Sequence, residues 1–416
     1  MHIYISGIGG TGMGPLAELA LDAGYSVSGS DGRENSMTRE LADRGIDIVY
    51  EQTEESIAAE HLTNPIDWFI YTSALSDDHP ELKFAREHGI RVSKRGEFLS
   101  EFIRNHNLSL IAIAGTHGKT TTTGMFIWAA GKLGLPISYS VGSTLPFGPS
   151  AKFDPRSKYF IYEADEYDRN FLNFYPDIAV FPSIEYDHPD IFPTVDDYKQ
   201  AFRDFINQSK FNIMFERDHQ FLQPLANADT EVFEHQATRA EIDLPGQTNR
   251  NNAYLVAQTL STIDNYPVTK LHQVLSSFAG AGRRFEKLAP NLYSDYAHHP
   301  SEIKATIDMA RELNPNVVVV YQPHQNIRQY EVRDGYKDAF AGVKKIYWLP
   351  TYLAREDGRP VLTPKNLIAK LADKDLAEPA EMNEELSNFI QSHIAAGELV
   401  IIMGAGPVDD WARNML

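Results

Sequence analysis

Leu108-Ser109-Leu110-Ile111-Ala112-Ile113-Ala114-Gly115-Thr116-His117-Gly118-Lys119-Thr120-Thr121-Thr122 is the stretch that decides the fold. Its first half is an apolar run of buried-strand length, and a helical pattern opens at its end. Between them lie two glycines and a lysine. The backbone N–H groups of such a turn cradle phosphates, Lys119 reaches the β- and γ-phosphates, and Thr120 or Thr121 holds Mg²⁺. The loop is shorter than the general phosphate-loop pattern, because Ile113 stands where its first glycine would be. A polar loop capping a helix is the bland alternative, and it leaves Gly-Lys-Thr after a buried strand unexplained. Strand, phosphate loop and helix together open a parallel α/β sheet.

Working outward, the same grammar recurs on both sides. Gly7-Ile8-Gly9-Gly10-Thr11-Gly12 lies between a strand at 3–6 and a helix at 13–23. Asp31 closes the next strand, ~20 residues on, where a ribose hydroxyl partner would sit. Read alone, this G-x-G-x-x-G says NAD; read with its strand and helix, it says a nucleotide diphosphate. Further strands are expected at 26–29, 67–71 and 90–93, with a helix at 37–44. The pattern restarts at 108 after the polar stretch Arg104-Asn105-His106-Asn107. Strands at 159–163 and 178–181 and helices at 195–207 and 249–263 follow. A third restart after Arg283-Arg284-Phe285 brings strands at 292–296, 317–321, 345–349 and 399–403. The expected domains are therefore 1–106, 107–284 and 285–416, all α/β with mostly parallel sheets.

The bulk numbers agree. A chain of 416 residues suggests about three domains. A hydrophobic share of 43% and a charged share of 23% describe a soluble globular protein. Lys+Arg minus Asp+Glu is 38 − 57 = −19, which disfavours nucleic acid and anionic membranes as partners. The absence of Cys excludes disulfides, zinc–thiolate sites and cysteine nucleophiles. No targeting segment and no membrane-length apolar run is apparent, and a cytoplasmic home is expected.

Three more segments carry chemistry. Glu163-Ala164-Asp165-Glu166-Tyr167-Asp168 closes a strand with four carboxylates in six residues. Such crowding calls for a cation, and Glu163 is the expected Mg²⁺ ligand. Glu185-Tyr186-Asp187-His188-Pro189-Asp190 also follows a strand, and His188 there would serve a second metal or orient an anion. In the third region, Arg283-Arg284 would stabilise transferring phosphate charge. Asp295-Tyr296-Ala297-His298-His299-Pro300 and Gln322-Pro323-His324-Gln325-Asn326-Ile327-Arg328 follow strands of their own.

Together, these segments resemble the Mur ligases, ATP-dependent amide-forming enzymes of peptidoglycan synthesis. The resemblance rests on Gly-Thr-His-Gly-Lys-Thr-Thr-Thr, Glu-Ala-Asp-Glu, Asp-His-x-Asp, Arg-Arg-Phe-Glu and Asp-Tyr-Ala-His-His-Pro, and it covers essentially the whole chain. It implies a Rossmann-like N-terminal domain for a UDP-sugar, a central P-loop ATPase domain and a C-terminal Rossmann-like domain for the incoming amine. Gly9, Gly10, Thr11, Gly12, Met13 and Asp31, with Thr72, Ser73 and Ala74, would then contact the UDP-sugar. Gly115, Thr116, His117, Gly118, Lys119, Thr120 and Thr121 would hold ATP, with Asn249 and Asn252 on the adenine side. Arg284 would touch the γ-phosphate and Asp295 the ribose. Thr120, Glu163 and His188 would be metal ligands, and Tyr296, His299, His324 and Arg328 would line the amine pocket.

The implied reaction joins L-alanine to the lactyl carboxylate of UDP-N-acetylmuramate through an acyl phosphate, in a monomer or weak homodimer. The alternative branch attaches L-Ala-γ-D-Glu-meso-diaminopimelate to the same sugar nucleotide, and Tyr167 and the run 187–192 look more like it. An NAD-dependent oxidoreductase or a non-catalytic nucleotide-binding protein is the remaining reading. Three positions depart from the family pattern: Thr248 stands for His, Ser183 for Asn and Gln325 for Arg.

Overall fold

The computed structural model describes residues 1–72, 75–188, 191–225, 228–354 and 358–416. Three sheets form among them. The first holds β1 (His2–Ser6), β2 (Ser26–Ser30), β3 (Asp47–Val49), β4 (Trp68–Tyr71) and β5 (Arg91–Lys94), ordered β3-β2-β1-β4-β5 and parallel throughout. β1 is buried along its whole length, as a strand covered by helices on both faces must be. The connecting helices have local start signals: Asn35 and Thr53 accept the backbone N–H of Thr38 and Ser56, which satisfies first-turn donors. Strand order reverses between β1 and β4, so a crevice opens at their carboxyl ends.

The second sheet holds β6 (Ser109–Ala114), β7 (Ile137–Ser140), β8 (Ala151–Lys152), β9 (Tyr159–Ala164), β10 (Ile178–Phe181), β11 (Phe211–Phe215) and β12 (Thr230–Phe233). Their order is β12-β11-β10-β6-β9-β7-β8, and only β7–β8 is antiparallel among the pairings described. Here the reversal falls at β6, between β9 and β10. The helix Lys119–Leu133 leaves the β6 loop and stops at Gly134, whose φ of 69° is the left-handed turn that glycine adopts without a Cβ penalty.

The third sheet holds β13 (Glu286–Ala289), β14 (Leu292–Asp295), β15 (Val317–Gln322), β16 (Lys345–Trp348), β17 (Ala377–Pro379) and β18 (Leu399–Gly404), ordered β13-β14-β18-β15-β16-β17. Only the β13–β14 hairpin is antiparallel among these pairings. β15 and β18 are buried end to end, and apolar clusters cover both faces.

The chain forms two compact units, Met1–His235 with Leu255–Leu275, and Gln236–Tyr254 with Ser276–Leu416. The first unit contains the first two sheets, which share one apolar core that includes Leu16, Phe102, Ala151 and Phe160. Helix Gly14–Asp22 ties them further. Asp22 accepts the Phe153 N–H at 3.1 Å and Glu18 accepts the Ser150 hydroxyl at 3.3 Å. Glu18 is nearly fully buried, and burial, only partly offset by Arg44, pushes its carboxyl up to about 7.

Candidate active site

The β1 loop is threaded too tightly for side chains. Gly7 has φ of 75°. A Cβ on Gly9 would lie 2.5 Å from the Asn35 side chain, and one on Gly12 would run into the Arg95 guanidinium. Asp31 accepts the Gly9 N–H at 2.8 Å, so the acid expected at a ribose braces the glycine loop here. Thr11 is exposed and Met13 is buried under the helix start. Thr72 follows β4 beside Gly7; Ser73 and Ala74 lie outside the described residues. Beneath the loop, fully buried Glu81 accepts the hydroxyls of Tyr4, Ser6 and Ser30 at 2.8, 2.5 and 2.9 Å. Arg95 and Glu81 carried no sequence signal. Arg95 places a cation beside glycine amides, which is what a diphosphate needs.

At the β6 reversal, three strand ends converge. A Cβ on Gly115, whose φ is 144°, would lie 2.6 Å from the Ser183 carbonyl oxygen. The Thr116 N–H donates to that same carbonyl at 2.8 Å. The Thr116 hydroxyl donates to the Glu185 carbonyl at 2.7 Å, and the Glu185 N–H donates back to it at 2.9 Å. The buried Tyr198 phenol lies 2.6 Å from the same hydroxyl. On helix Glu216–Leu222, buried Asp218 accepts the Ile184 N–H at 2.9 Å, and burial raises it to about 6. Ser183, one of the departures from the family pattern, thus acts through its backbone carbonyl.

The reactive groups lie on this frame. Register pairs Ile113 with Glu163 and Ala114 with Ala164, which sets the acidic segment beside the phosphate loop. The Thr120 hydroxyl donates to Glu163 Oε1 at 2.7 Å, and the Gly142 N–H donates to Oε2 at 2.9 Å. Lys119 Nζ reaches Glu166 Oε2 at 2.6 Å and the Gly115 carbonyl at 2.5 Å. Burial alone would lower Lys119, but the carboxylates of Glu166, Asp165 and Glu163 outweigh it and raise the ammonium. Burial pushes Glu166 up to about 7, with Lys119 pulling it back. His188, at φ of 57°, puts Nε2 3.7 Å from Glu166 Oε1 and packs edge-on against Tyr167. His117 Nε2 lies 3.6 Å from Glu185. Thr121 is half-buried beside Thr120. Lys119, Thr120, Glu163 and His188 are therefore brought together. The fully buried Glu166 joins them; of the four carboxylates in its segment the sequence set apart Glu163 and not Glu166.

In the second unit, the segment Pro245–Asn252 is clamped to helix Pro300–Leu313. Glu312 accepts the Gly246 N–H at 3.2 Å and two Arg250 guanidinium N–H groups at 2.9 and 3.1 Å. Asn249 contacts Met309, and Asn252 is buried. Asp295 accepts the N–H groups of Phe285 and Ala297 at 2.7 and 2.8 Å, and burial pushes it up to about 6. Arg283 and Arg284 both lie over the Tyr296 ring, at 4.8 and 4.7 Å. The aromatic line then runs from Tyr296 to His298, His324 and Tyr352. His299 instead heads helix Pro300–Leu313, with Nδ1 2.8 Å from the Ser301 hydroxyl. Arg328 lies on helix Asn326–Val332, one turn beyond His324. Tyr352 carried no sequence signal. Backbone bonds hold it, from the Gln325 N–H to its carbonyl and from its own N–H to Pro323, each at 2.8 Å.

Residues 2–107 match the Mur ligase family, catalytic domain; residues 113–243 match the Mur ligase middle domain; residues 283–406 match the Mur ligase, glutamate ligase domain. The UDP-N-acetylmuramate–L-alanine ligase of Clostridium acetobutylicum is 32% identical over 98% of this chain and 95% of its own. That of Agathobacter rectalis is 30% identical over 100% and 98%. The structure of the UDP-N-acetylmuramate-alanine ligase from Thermotoga maritima superposes with a TM-score of 0.77 at 24% identity, over 100% of this chain and 98% of that one. A murein peptide ligase from Psychrobacter arcticus follows at 0.66 and 22%, over the same shares. These two structures share the fold. With three of its domains matched in order and relatives similar along nearly the whole length, the chain belongs to the Mur ligase family.

Proposed function

We propose that this protein joins L-alanine to the lactyl carboxylate of UDP-N-acetylmuramate, with ATP converted to ADP and phosphate. The convergence of Lys119, Thr120 and Glu163 at the β6 reversal carries the reading. A carboxylate is a poor electrophile. Its oxygen attacks the γ-phosphorus and ADP leaves; the amine then attacks the acyl carbon and phosphate leaves. Both steps are favoured mainly by positioning and charge neutralisation. Lys119, held by Glu166 in this structure, exchanges that carboxylate for phosphate oxygens when ATP enters. The buried Glu166 then keeps His188 as its neighbour.

The donors suit a hard cation: the Thr120 hydroxyl and the Glu163 carboxylate are oxygen ligands that already touch at 2.7 Å, and Mg²⁺ prefers this set. Bound there, Mg²⁺ would neutralise phosphate charge. On the same reading, the β1 loop and Arg95 take the UDP diphosphate, and Arg284 meets the γ-phosphate. Tyr296, His299, His324 and Arg328 go to the amine. No helix among the described residues is long and apolar enough to cross a membrane.

ADP release with UDP-N-acetylmuramate, Mg-ATP and varied amine tests this. Stimulation by L-alanine is expected. Stimulation only by L-Ala-γ-D-Glu-meso-diaminopimelate would transfer the protein to the other branch. Failure of every amine, with tight NAD binding, would overturn both.

A further inference from the structure

Helix Lys119–Leu133 has a phosphate loop at its start and a pocket of about 480 Å³ at its end. Fifteen residues at ~1.5 Å each separate the two by roughly 20 Å. The pocket volume lies within the range of small-molecule sites, ~300–1,000 Å³. Its wall includes Trp128 and Phe147, packed edge to face at 5.1 Å. The Trp128 indole N–H donates to the Val274 carbonyl at 3.2 Å, which fixes the ring's orientation. Gly131 lies in the lining, and a Cβ there would meet nothing within 4 Å.

The charges around this pocket are unlike those of the chain. Asp154 is consumed by Arg156, which donates to it from its backbone N–H, Nε and Nη2 at 3.0, 3.0 and 2.7 Å. Those bonds, with a smaller pull from the Lys152 charge, hold Asp154 down at about 2. Lys132 and Lys152 form no direct ion pair among the described residues: neither has a carboxylate oxygen within 4 Å, Lys152 acts on Asp154 only at longer range, and Lys132 sits 4.4 Å over the Trp128 ring. In a chain of net charge −19, this pocket keeps two cations beside an aromatic wall. A ring can bury its faces against Trp128 and Phe147, and an anionic substituent can recruit the two ammonium groups.

We propose that this pocket is a second binding site, taking a planar aromatic ring that bears a carboxylate, sulfonate or phosphate group. It is separate from the phosphate loop, so its failure would leave the ligase reading untouched.

The full chain, saturated with Mg-ADP and UDP, would be titrated with 2-naphthoate, read by saturation-transfer NMR and tryptophan quenching. Saturable binding is expected, with neutral 2-naphthamide at least about fivefold weaker. Lys132→Glu with Lys152→Glu should weaken 2-naphthoate about tenfold and leave 2-naphthamide within about twofold. Gly131→Phe fills the open space and should abolish binding of both, while a cooperative thermal melt like the parent's serves as the check on folding. Absence of 2-naphthoate binding, equal affinity for the amide, or undiminished binding to the folded Gly131→Phe protein would overturn the proposal.

Discussion

Glu18→Gln should stabilise this protein by an amount that grows as pH rises above about 4.5. Glu18 sits on the helix that leaves the glycine loop, 1% exposed, with Arg44 Nη1 at 3.4 Å and the Ser150 hydroxyl at 3.3 Å. In the unfolded chain it ionises at its ordinary 4.5; in the fold, burial holds the proton to about 7 despite Arg44. At ~1.36 kcal/mol per pH unit, that gap costs the ionised fold about 3 kcal/mol. The folded value is the higher one, so the penalty is absent below pH 4.5. It grows as pH rises and is complete above about 7. Glutamine keeps the shape and removes the charge. Urea unfolding of parent and variant at pH 4.5, 6 and 8 reads the difference. The variant should gain less than about 0.5 kcal/mol at pH 4.5 and on the order of 2–3 kcal/mol at pH 8. A gain independent of pH would mean that ionisation of Glu18 is not what costs stability, and a parent more stable than the variant at pH 8 would mean that the Arg44 pair outweighs burial; either result would refute the reasoning.

Lys119→Ala should reduce turnover by ~100-fold or more while UDP affinity, measured by calorimetry, stays within about twofold; loss of UDP binding by a folded variant would show that the two nucleotide sites are not separate. Gly115→Ala drives a Cβ to 2.6 Å from the Ser183 carbonyl and should cost about 1–3 kcal/mol of stability together with most ADP release; a thermal melt and an activity assay check both. Arg250→Met leaves Glu312 without its fork and loosens the segment that carries Asn249 and Asn252. The KM for ATP should rise about tenfold with kcat changed less than about threefold, and a reversed pattern in steady-state kinetics would count against an adenine-side role.

Most of the scaffold was legible, because buried parallel strands announce themselves as apolar runs. The expected strand at 178–181 is Ile178–Phe181, and that at 317–321 is Val317–Gln322. Some strands were not legible. Asp47–Val49 and Ala151–Lys152 are too brief to show a period, and Phe211–Phe215 buries Asn212 within its run. The phosphate loop and its acidic neighbour were found from residue type. The Lys119–Glu166 pair was not, since 47 positions separate the two and only the β6–β9 register brings them together. Arg95 was invisible for the same reason: it meets Gly12 through the packing of the helix after β5. Tyr352 reaches His324 through backbone bonds between two loops, which leave no trace in composition.

The discontinuity of the first unit has a consequence for synthesis. Its last contribution, Leu255–Leu275, is made only after 236–254 has been laid down for the other unit. Within that late piece Leu255, Val256, Leu260, Leu271 and Leu275 are buried, and Ile263 and Val274 accept bonds from Tyr159 and Trp128. A nascent chain emerging vectorially therefore cannot complete its first unit at residue 235, although two sheets are already out. It must hold an open apolar surface along helix Lys119–Leu133 until some forty further residues arrive. Domains that close as units from the N-terminus here give way to a delayed closure, and that interval is when a chaperone would find this chain.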